Sequence, residues 1–316
     1  MRTAVPSVLI VGSLALDTIE TPFGRVDNTV GGAGIYAGLA ASLLAPVRLV
    51  GAVGDDFPQE MLSTLAQRGV DLEGVTIVEG GRSFRWGGRY YFDMHTRETL
   101  FTELGVFADF DPRIPEQWRS TEYVFLANIQ PGLQISVLDQ VAPPRFVVAD
   151  TMNFWIERDR DQLLTLLGRI DLLLVNDAEA RQLSGEANLC TAASTILGLG
   201  PRYVVIKKGE YGASLVSRAG HFALPAMPLP DVTDPTGAGD TFAGGMIGML
   251  AWLDDTSEEA LRQALAVGTA VASVCVQDFG VEALRKLSLE MLYERYESLR
   301  AMTTFAPCPL NQKPGW

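Results

Sequence analysis

Histidine and cysteine are scarce in this chain, with two of the first and three of the second among 316 residues. His95 and His221 stand far apart, and Cys190, Cys275 and Cys308 form no C-x-x-C pair, which argues against a structural zinc site. Cys190 and Cys275 lie in apolar stretches and read as small buried hydrophobes rather than reactive thiols, so a reducing, cytoplasmic compartment is expected. Positive charge is also in short supply: 25 Lys and Arg face 38 Asp and Glu, for a net charge of −13. A field of that sign repels polyanions and removes nucleic acid from the expected partners, while a small anion can still be held by local backbone dipoles and a bound cation. Long uninterrupted apolar spans are absent too. Residues 4–16 contain Pro6 and then the β-rich run Val8–Val11, and residues 28–47 carry Gly31, Gly32, Gly34, Gly38 and Pro46, so neither suits a membrane helix. Finally, no G-x-x-x-x-G-K-[ST] loop occurs, and no G-x-G-x-x-G follows the first strand, which removes the two commonest phosphate cradles.

What is present is an alternation of short β-branched runs with helical patterns. Strands are expected at 8–11, 47–53, 123–127, 146–149, 172–175 and 203–206. Most are continuous apolar runs, as strands buried on two faces require, and the alternation predicts an α/β fold whose mostly parallel sheet is covered by helices on both sides. Helices are expected at 35–44, at 58–68 behind Asp56 as cap, near 163–167, and from a Thr256-x-x-Glu259 capping box through 263–277. Residues 18–30 and 82–104 break the rhythm. They are polar and aromatic, with Phe84, Trp86, Tyr90 and Phe92 in alternation, and predict a small β-sheet lid outside the main sheet. One domain over residues 1–302 is expected, followed by a proline-rich tail at 303–316, with no internal repeat.

The sharpest local signal is Asp234-Pro235-Thr236-Gly237-Ala238-Gly239-Asp240, which opens the small-residue-rich helical stretch 243–253. Glycines there let main chain approach a ligand, and the unpaired N–H groups at a helix start, with the positive end of its dipole, attract an anion. Asp240 reads either as a simple cap of that helix or as a working carboxylate beside an anion site.

This motif resembles the C-terminal signature of the ribokinase-like, PfkB-type family of carbohydrate and nucleoside kinases, which ends in G-A-G-D before a helix. Gly31-Gly32-Ala33-Gly34 and residues 50–57 resemble its N-terminal signature, Asn176-x-x-Glu179 its N-x-x-E element, and Lys208-Gly209-Glu210-Tyr211-Gly212 its nucleotide loop. The likeness runs from about Val8 to Arg300. It implies a three-layer αβα sandwich with a β lid, using ATP and Mg²⁺ to phosphorylate a hydroxyl of a sugar or nucleoside. It further implies that Asp240 is the general base and that the amides of Gly237, Ala238 and Gly239 form the anion hole, each donor worth ~2.7–4 kcal/mol by analogy with measured oxyanion donors. Asn176 and Glu179 then organise Mg²⁺ indirectly, while Lys207, Gly209 and Gly212 approach the nucleotide. Asp234 and Thr236 match positions that bind a monovalent cation such as K⁺ in some members. Asp17, Gly31, Gly32, Tyr36, Asn128 and Gln130 match or flank the acceptor site.

Two departures set the acceptor pocket apart. Tyr36 stands where the family's sugar kinases commonly carry Asn, and Asp150-Thr151-Met152-Asn153 shifts the Asn and lacks the Arg of a D-x-N-x-R element. Arg85, Arg89 or Arg97 of the lid are then candidates for the missing positive charge. The lid aromatics suit stacking on a nucleobase, capping a sugar ring, a small lid core or a homodimer interface through the lid. Three functional readings stay open: a sugar kinase, a nucleoside kinase of the same fold, and a catalytically silent sugar or nucleotide sensor on the same scaffold.

Overall fold

The computed structural model describes residues 4–306. In chain order the strands are β1 (Val8–Val11), β2 (Ala15–Thr21), β3 (Gly24–Gly31), β4 (Val47–Gly54), β5 (Val70–Val78), β6 (Phe84–Tyr90), β7 (Arg97–Glu103), β8 (Tyr123–Leu126), β9 (Phe146–Asp150), β10 (Leu172–Asn176), β11 (Tyr203–Lys207), β12 (Ala213–Ser217) and β13 (Gly220–Leu224). The helices are α1 (Ala33–Ala41), α2 (Gln59–Gln67), α3 (Pro131–Gln140), α4 (Asn153–Arg158), α5 (Arg160–Leu167), α6 (Asp177–Ser184), α7 (Leu189–Leu197), α8 (Ala238–Leu253), α9 (Glu258–Cys275), α10 (Glu282–Lys286) and α11 (Leu289–Thr303).

Nine strands form the main sheet in the order β13-β12-β11-β10-β9-β8-β1-β4-β5. All neighbours from β11 to β5 pair in parallel, and the β11-β12-β13 edge is antiparallel. The side-chain period of two sorts each apolar run between two layers. Val8, Ile10, Tyr123, Phe125, Leu172 and Leu174 pack with α1, α2, α8 and α9, whereas Leu9, Val11, Val124, Leu126, Leu173 and Val175 pack with α3, α5, α6 and α7. Each fully buried aliphatic chain contributes ~1.5–3 kcal/mol relative to exposure, which is why these strands read as unbroken hydrophobic runs. The α/β class and the three layers agree with the sequence reading. No helix among the described residues is long and apolar enough to cross a membrane.

Chain order reverses about β1, with β4 on one side and β8 on the other, so the ligand crevice of such a sheet opens at the carboxyl ends of those strands. Over that edge lies a second sheet of order β3-β2-β6-β7. It joins the main body through the short 12–14 turn after β1 and through Gly31–Gly32, where β3 meets α1.

The helix carrying Asp240 is held by a close seam. A Cβ at Gly244 of α8 would lie 2.3 Å from the carbonyl oxygen of Ala37 in α1, so only glycine allows the two backbones to approach this far.

Several local expectations are corrected. Asp56 does not cap α2, whose N-cap is Pro58; its carboxylate instead accepts from the Ser83 amide and pairs with Arg85 at 2.8 Å, tying α2 to the second sheet. The cap of α9 is Ser257, one residue past Thr256, with its hydroxyl accepting from the Ala260 amide. Cys190 is exposed on α7 and only Cys275 is buried, because Cys190 falls on the outer side of an amphipathic helix. Thr303 still belongs to α11, and the rest of the expected tail from residue 307, with Cys308, lies outside the described residues.

Candidate active site

Three carboxyl-terminal strand ends deliver the polar groups. β9 ends on Asp150, β10 on Asn176 and β11 on Lys207, with Asn176 and Lys207 in direct register. Lys207 Nζ pairs with Asp150 Oδ2 at 3.0 Å, and both side chains are largely buried, at 18% and 7% exposure. Burial alone would lower the lysine's pKa, but the neighbouring charges of Asp150, Glu179 and Asp240 outweigh it and raise the value, so the ammonium stays charged.

Asp240 lies in the first turn of α8 and is half-buried. No other residue donates a hydrogen bond to its carboxylate among the described residues, which rules out a capping duty of the ordinary kind. Burial first, and the charge of Asp150 second, raise its pKa to about 7 against the opposing pull of Lys207. A carboxylate poised there accepts a proton from a hydroxyl far more readily than a solvated one.

The loop before α8 supplies donors. Gly237 is the N-cap at φ 72°, a left-handed conformation that glycine adopts without strain. Among the described residues the Gly237 and Gly239 amides have no protein acceptor, while the Ala238 amide makes a long 3.3 Å bond to Pro235. A Cβ built on Gly239 would stand 3.0 Å from Lys207 Nζ, so the lysine overhangs these amides. Free N–H groups, a helix N-terminus and an ammonium converge on one spot, an arrangement with the chemistry to attract an anion.

Asn176 and Glu179 form a capping box at the start of α6: the Asn176 Oδ1 accepts from the Glu179 amide at 2.8 Å and Glu179 Oε2 from the Asn176 amide at 2.7 Å. Glu179 keeps Oε1 without a protein donor, and burial, with Asp150 adding and Lys207 opposing, pushes its pKa up to about 7. Among the described residues no three His, Cys, Asp or Glu side chains gather to cage a metal. A Mg²⁺ that keeps its waters and binds through phosphate oxygens needs no such cage, so the donor set fits that ion.

Asp17 sits in β2, 4% exposed, rather than in an open loop. Its carboxylate lies across Gly31, where a Cβ would be 1.9 Å from Oδ2. Burial, then repulsion from Asp234 and Asp240, raises its pKa to about 8. Gly32 is the N-cap of α1 at φ 95°. Tyr36 is only 1% exposed and its ring supports the Gly237 turn from beneath instead of lining an open pocket; its hydroxyl has no partner among the described residues. Asn128 Oδ1 accepts from the Trp155 indole at 3.1 Å, and the exposed Gln130 caps α3.

Asp234 is a clamp. Its two oxygens accept from the Thr236 amide at 2.8 Å and the Gly280 amide at 2.9 Å, fastening the glycine turn to the segment after α9. Gly209 and Gly212 bracket the single 3₁₀ turn that follows β11.

The second sheet closes over this group. Thr236 Oγ1 donates to Tyr90 Oη at 3.3 Å, and a Cβ on Gly209 would lie 3.4 Å from His95 Nδ1 in the β6–β7 turn. Gln134 was invisible to sequence reasoning; its buried amide donates to the carbonyls of Leu126, Ala127 and Asp150 and so fixes two strand ends. Its position, a polar residue among the apolar positions of α3, was the available signal.

Comparison with known proteins agrees with this geometry. The sequence profile described as pfkB family carbohydrate kinase matches residues 6–85 and 123–286. A cytidine kinase of Thermococcus kodakarensis is 31% identical over 247 residues, covering 76% of this chain and 87% of that protein. A nucleoside kinase of Burkholderia thailandensis, solved with inosine, superposes with a TM-score of 0.75 at 20% identity over 92% of this chain and 97% of its own. A ribokinase of Arabidopsis thaliana, solved with ribose and ATP, gives 0.74 at 22% identity over 93% and 99%. The chain belongs to the pfkB family of carbohydrate kinases, phosphotransferases that act on an alcohol group.

Proposed function

We propose that this protein is an ATP-dependent kinase that phosphorylates a hydroxyl of a ribonucleoside, with a simple sugar as the competing acceptor. The observation that carries the reading is the unengaged Asp240 carboxylate beside the unpaired amides of Gly237 and Gly239, under Lys207. Asp17 orients acceptor hydroxyls at the mouth of the lid, with Gly31 and Gly32 beneath it and Asn128 and Gln130 at the carboxyl edge. Asp240 takes the proton of the attacking hydroxyl, and the main-chain donors at 237–239 hold the charge that builds on the transferred group.

Lys207 and the 209–212 turn receive the nucleotide phosphates. A bound Mg²⁺ would supply charge neutralisation to the phosphates, and Glu179 with Asn176 would hold its waters. For K⁺ the fit is poorer, because both oxygens of Asp234 already serve main-chain amides. Replacing K⁺ by N-methylglucamine tests any dependence on it.

Nucleosides take precedence over sugars for one reason. With Tyr36 beneath the glycine turn, the acceptor face is furnished by Trp86, in register with Asp17, which offers an aromatic surface beside the hydroxyl-binding carboxylate. The similarity to a cytidine kinase points the same way. An ATP-consumption screen over nucleosides, sugars and sugar phosphates tests the reading. Turnover of a nucleoside supports it, turnover of a free sugar alone shifts it to the sugar kinase, and tight ligand binding without ATP consumption replaces it with the silent sensor.

The catalytic unit extends through the end of α11 in this reading, with the second sheet as a lid. β7 is exposed along its whole length, including Leu100 and Phe101, which favours a homodimer formed through the lid; sedimentation analysis of a Phe101→Glu variant tests it. Free Cys190 and Cys275, together with the need for ATP, favour a cytoplasmic location.

A further inference from the structure

One face of the lid points at the site. Trp86 is in register with Asp17, and its indole lies along the strand over Gly88, where a Cβ would be 2.0 Å from the ring. Tyr90, two residues further on the same face, meets Thr236 of the anion loop. Across the hairpin Arg97 pairs with Tyr90, and its guanidinium carbon stands 5.3 Å from the centroid of Trp86. Arg97 therefore occupies the inner face between the acceptor carboxylate and the glycine turn.

Its charge is uncommitted. Four arginines lie on the strands of this sheet. Arg25 is paired with Glu20 and Asp27, Arg85 with Asp56, and Arg89 with Glu20 and Glu98. Arg97 alone of the four makes no ion pair among the described residues, although its field reaches both Asp240 and Glu179. One donor of the guanidinium is engaged by the Tyr90 hydroxyl; stacked on the indole, it keeps its remaining in-plane N–H donors for phosphate oxygens.

We propose that Arg97 is the lid's catalytic residue, donating to the non-bridging oxygens of the phosphoryl group as it moves. The inference rests on the kinase reading above. In the step, the acceptor oxygen bonds to the γ-phosphorus while the bond from that phosphorus to the β,γ-bridging oxygen breaks. ADP leaves with that bond's electron pair, and the acceptor's proton passes to Asp240. The departing group's spread negative charge is met from below by the 237–239 amides and from above by Arg97, so charge neutralisation depends on the lid being shut. Trp86 is a positioning residue that aims the guanidinium.

The test compares Arg97→Gln, Trp86→Leu and the control Arg25→Gln in the full-length protein. For Arg97→Gln, kcat falls by about 10²-fold with little change in acceptor KM, and added guanidinium ion restores part of the rate. Binding of Mg·ADP·fluoroaluminate with acceptor weakens strongly by calorimetry while ADP binding is retained. Trp86→Leu shows a smaller loss of the same pattern, and Arg25→Gln matches the parent. Unchanged kcat in Arg97→Gln, equal losses in ADP and fluoroaluminate binding, or an equal loss in Arg25→Gln would each overturn the assignment while leaving the kinase reading intact. A parent protein that consumes no ATP with any acceptor removes both.

Discussion

The phenol end of Tyr36 fills the space beside Gly237: a Cβ at 237 would lie 2.4 Å from three atoms of that ring. Beneath the anion loop, then, is a rigid aromatic floor rather than solvent. The floor carries a buried hydroxyl without a partner, an arrangement that costs stability. Tyr36→Phe is expected to be neutral or to stabilise by about 1 kcal/mol in urea denaturation with acceptor KM unchanged. A large rise in acceptor KM would instead return the hydroxyl to the acceptor site. Gly237→Ala meets both the ring and a left-handed backbone, and should lose both stability and kcat.

Removing the proposed base should separate binding from chemistry. Asp240→Asn keeps the shape of the first turn of α8 and should lower kcat by about 10²–10⁴-fold. Nucleotide affinity, read by calorimetry, should hold or improve, since a negative charge facing the phosphates is gone. Near-parental kcat would take Asp240 out of the mechanism.

Lys207 is the cation among several carboxylates. Lys207→Met leaves Asp150 and Glu179 buried without it, and breaking a pair of this depth costs about 3–5 kcal/mol. Equilibrium urea unfolding measures it. The partner change Asp150→Asn should recover part of the loss when combined with Lys207→Met, because the uncompensated charge is then removed.

Proton linkage gives opposite signs for rate and stability. As the proposed base, Asp240 must be ionised to act, so with a pKa of about 7 in the free enzyme, kcat/KM for ATP should fall about tenfold per pH unit below that point. For folding, the same carboxyl ionises near 3.8 when unfolded and near about 7 when folded. Between those values the folded chain holds the extra proton, so stability falls as pH rises. Asp17, raised to about 8, and Glu179, raised to about 7, act in the same direction. Thermal melts of Asp240→Asn should therefore show a larger gain over the parent at pH 8 than at pH 5. An equal gain at both values would separate the charge at 240 from stability.

Much of the main sheet was legible because a strand buried on both faces must be apolar at its buried positions, as in Val8–Val11 and residues 172–175. β5 escaped because an edge strand with Asp71, Glu73 and Gly74 carries no such run, and β12 and β13 because their hairpin is half solvated. Asp240 and the glycine turn were readable from local sequence, since a helix start and its donors come from adjacent residues. The Lys207–Asp150 pair was not, because 57 residues separate the partners and only sheet register brings them together. The cap at Ser257 was missed by one position because Thr256 offers the same chemistry next door.

Asp234 reaches 46 residues ahead to the Gly280 amide, and that clamp has a consequence for synthesis. A chain still emerging from the ribosome has most of its strands long before α8 and α9 arrive to cover one side of them. Until residue 280 is free, the apolar face of the nascent sheet stands open and the glycine turn has no anchor. The late-made quarter of the polypeptide thus completes both the cover of that apolar face and the anchoring of the glycine turn.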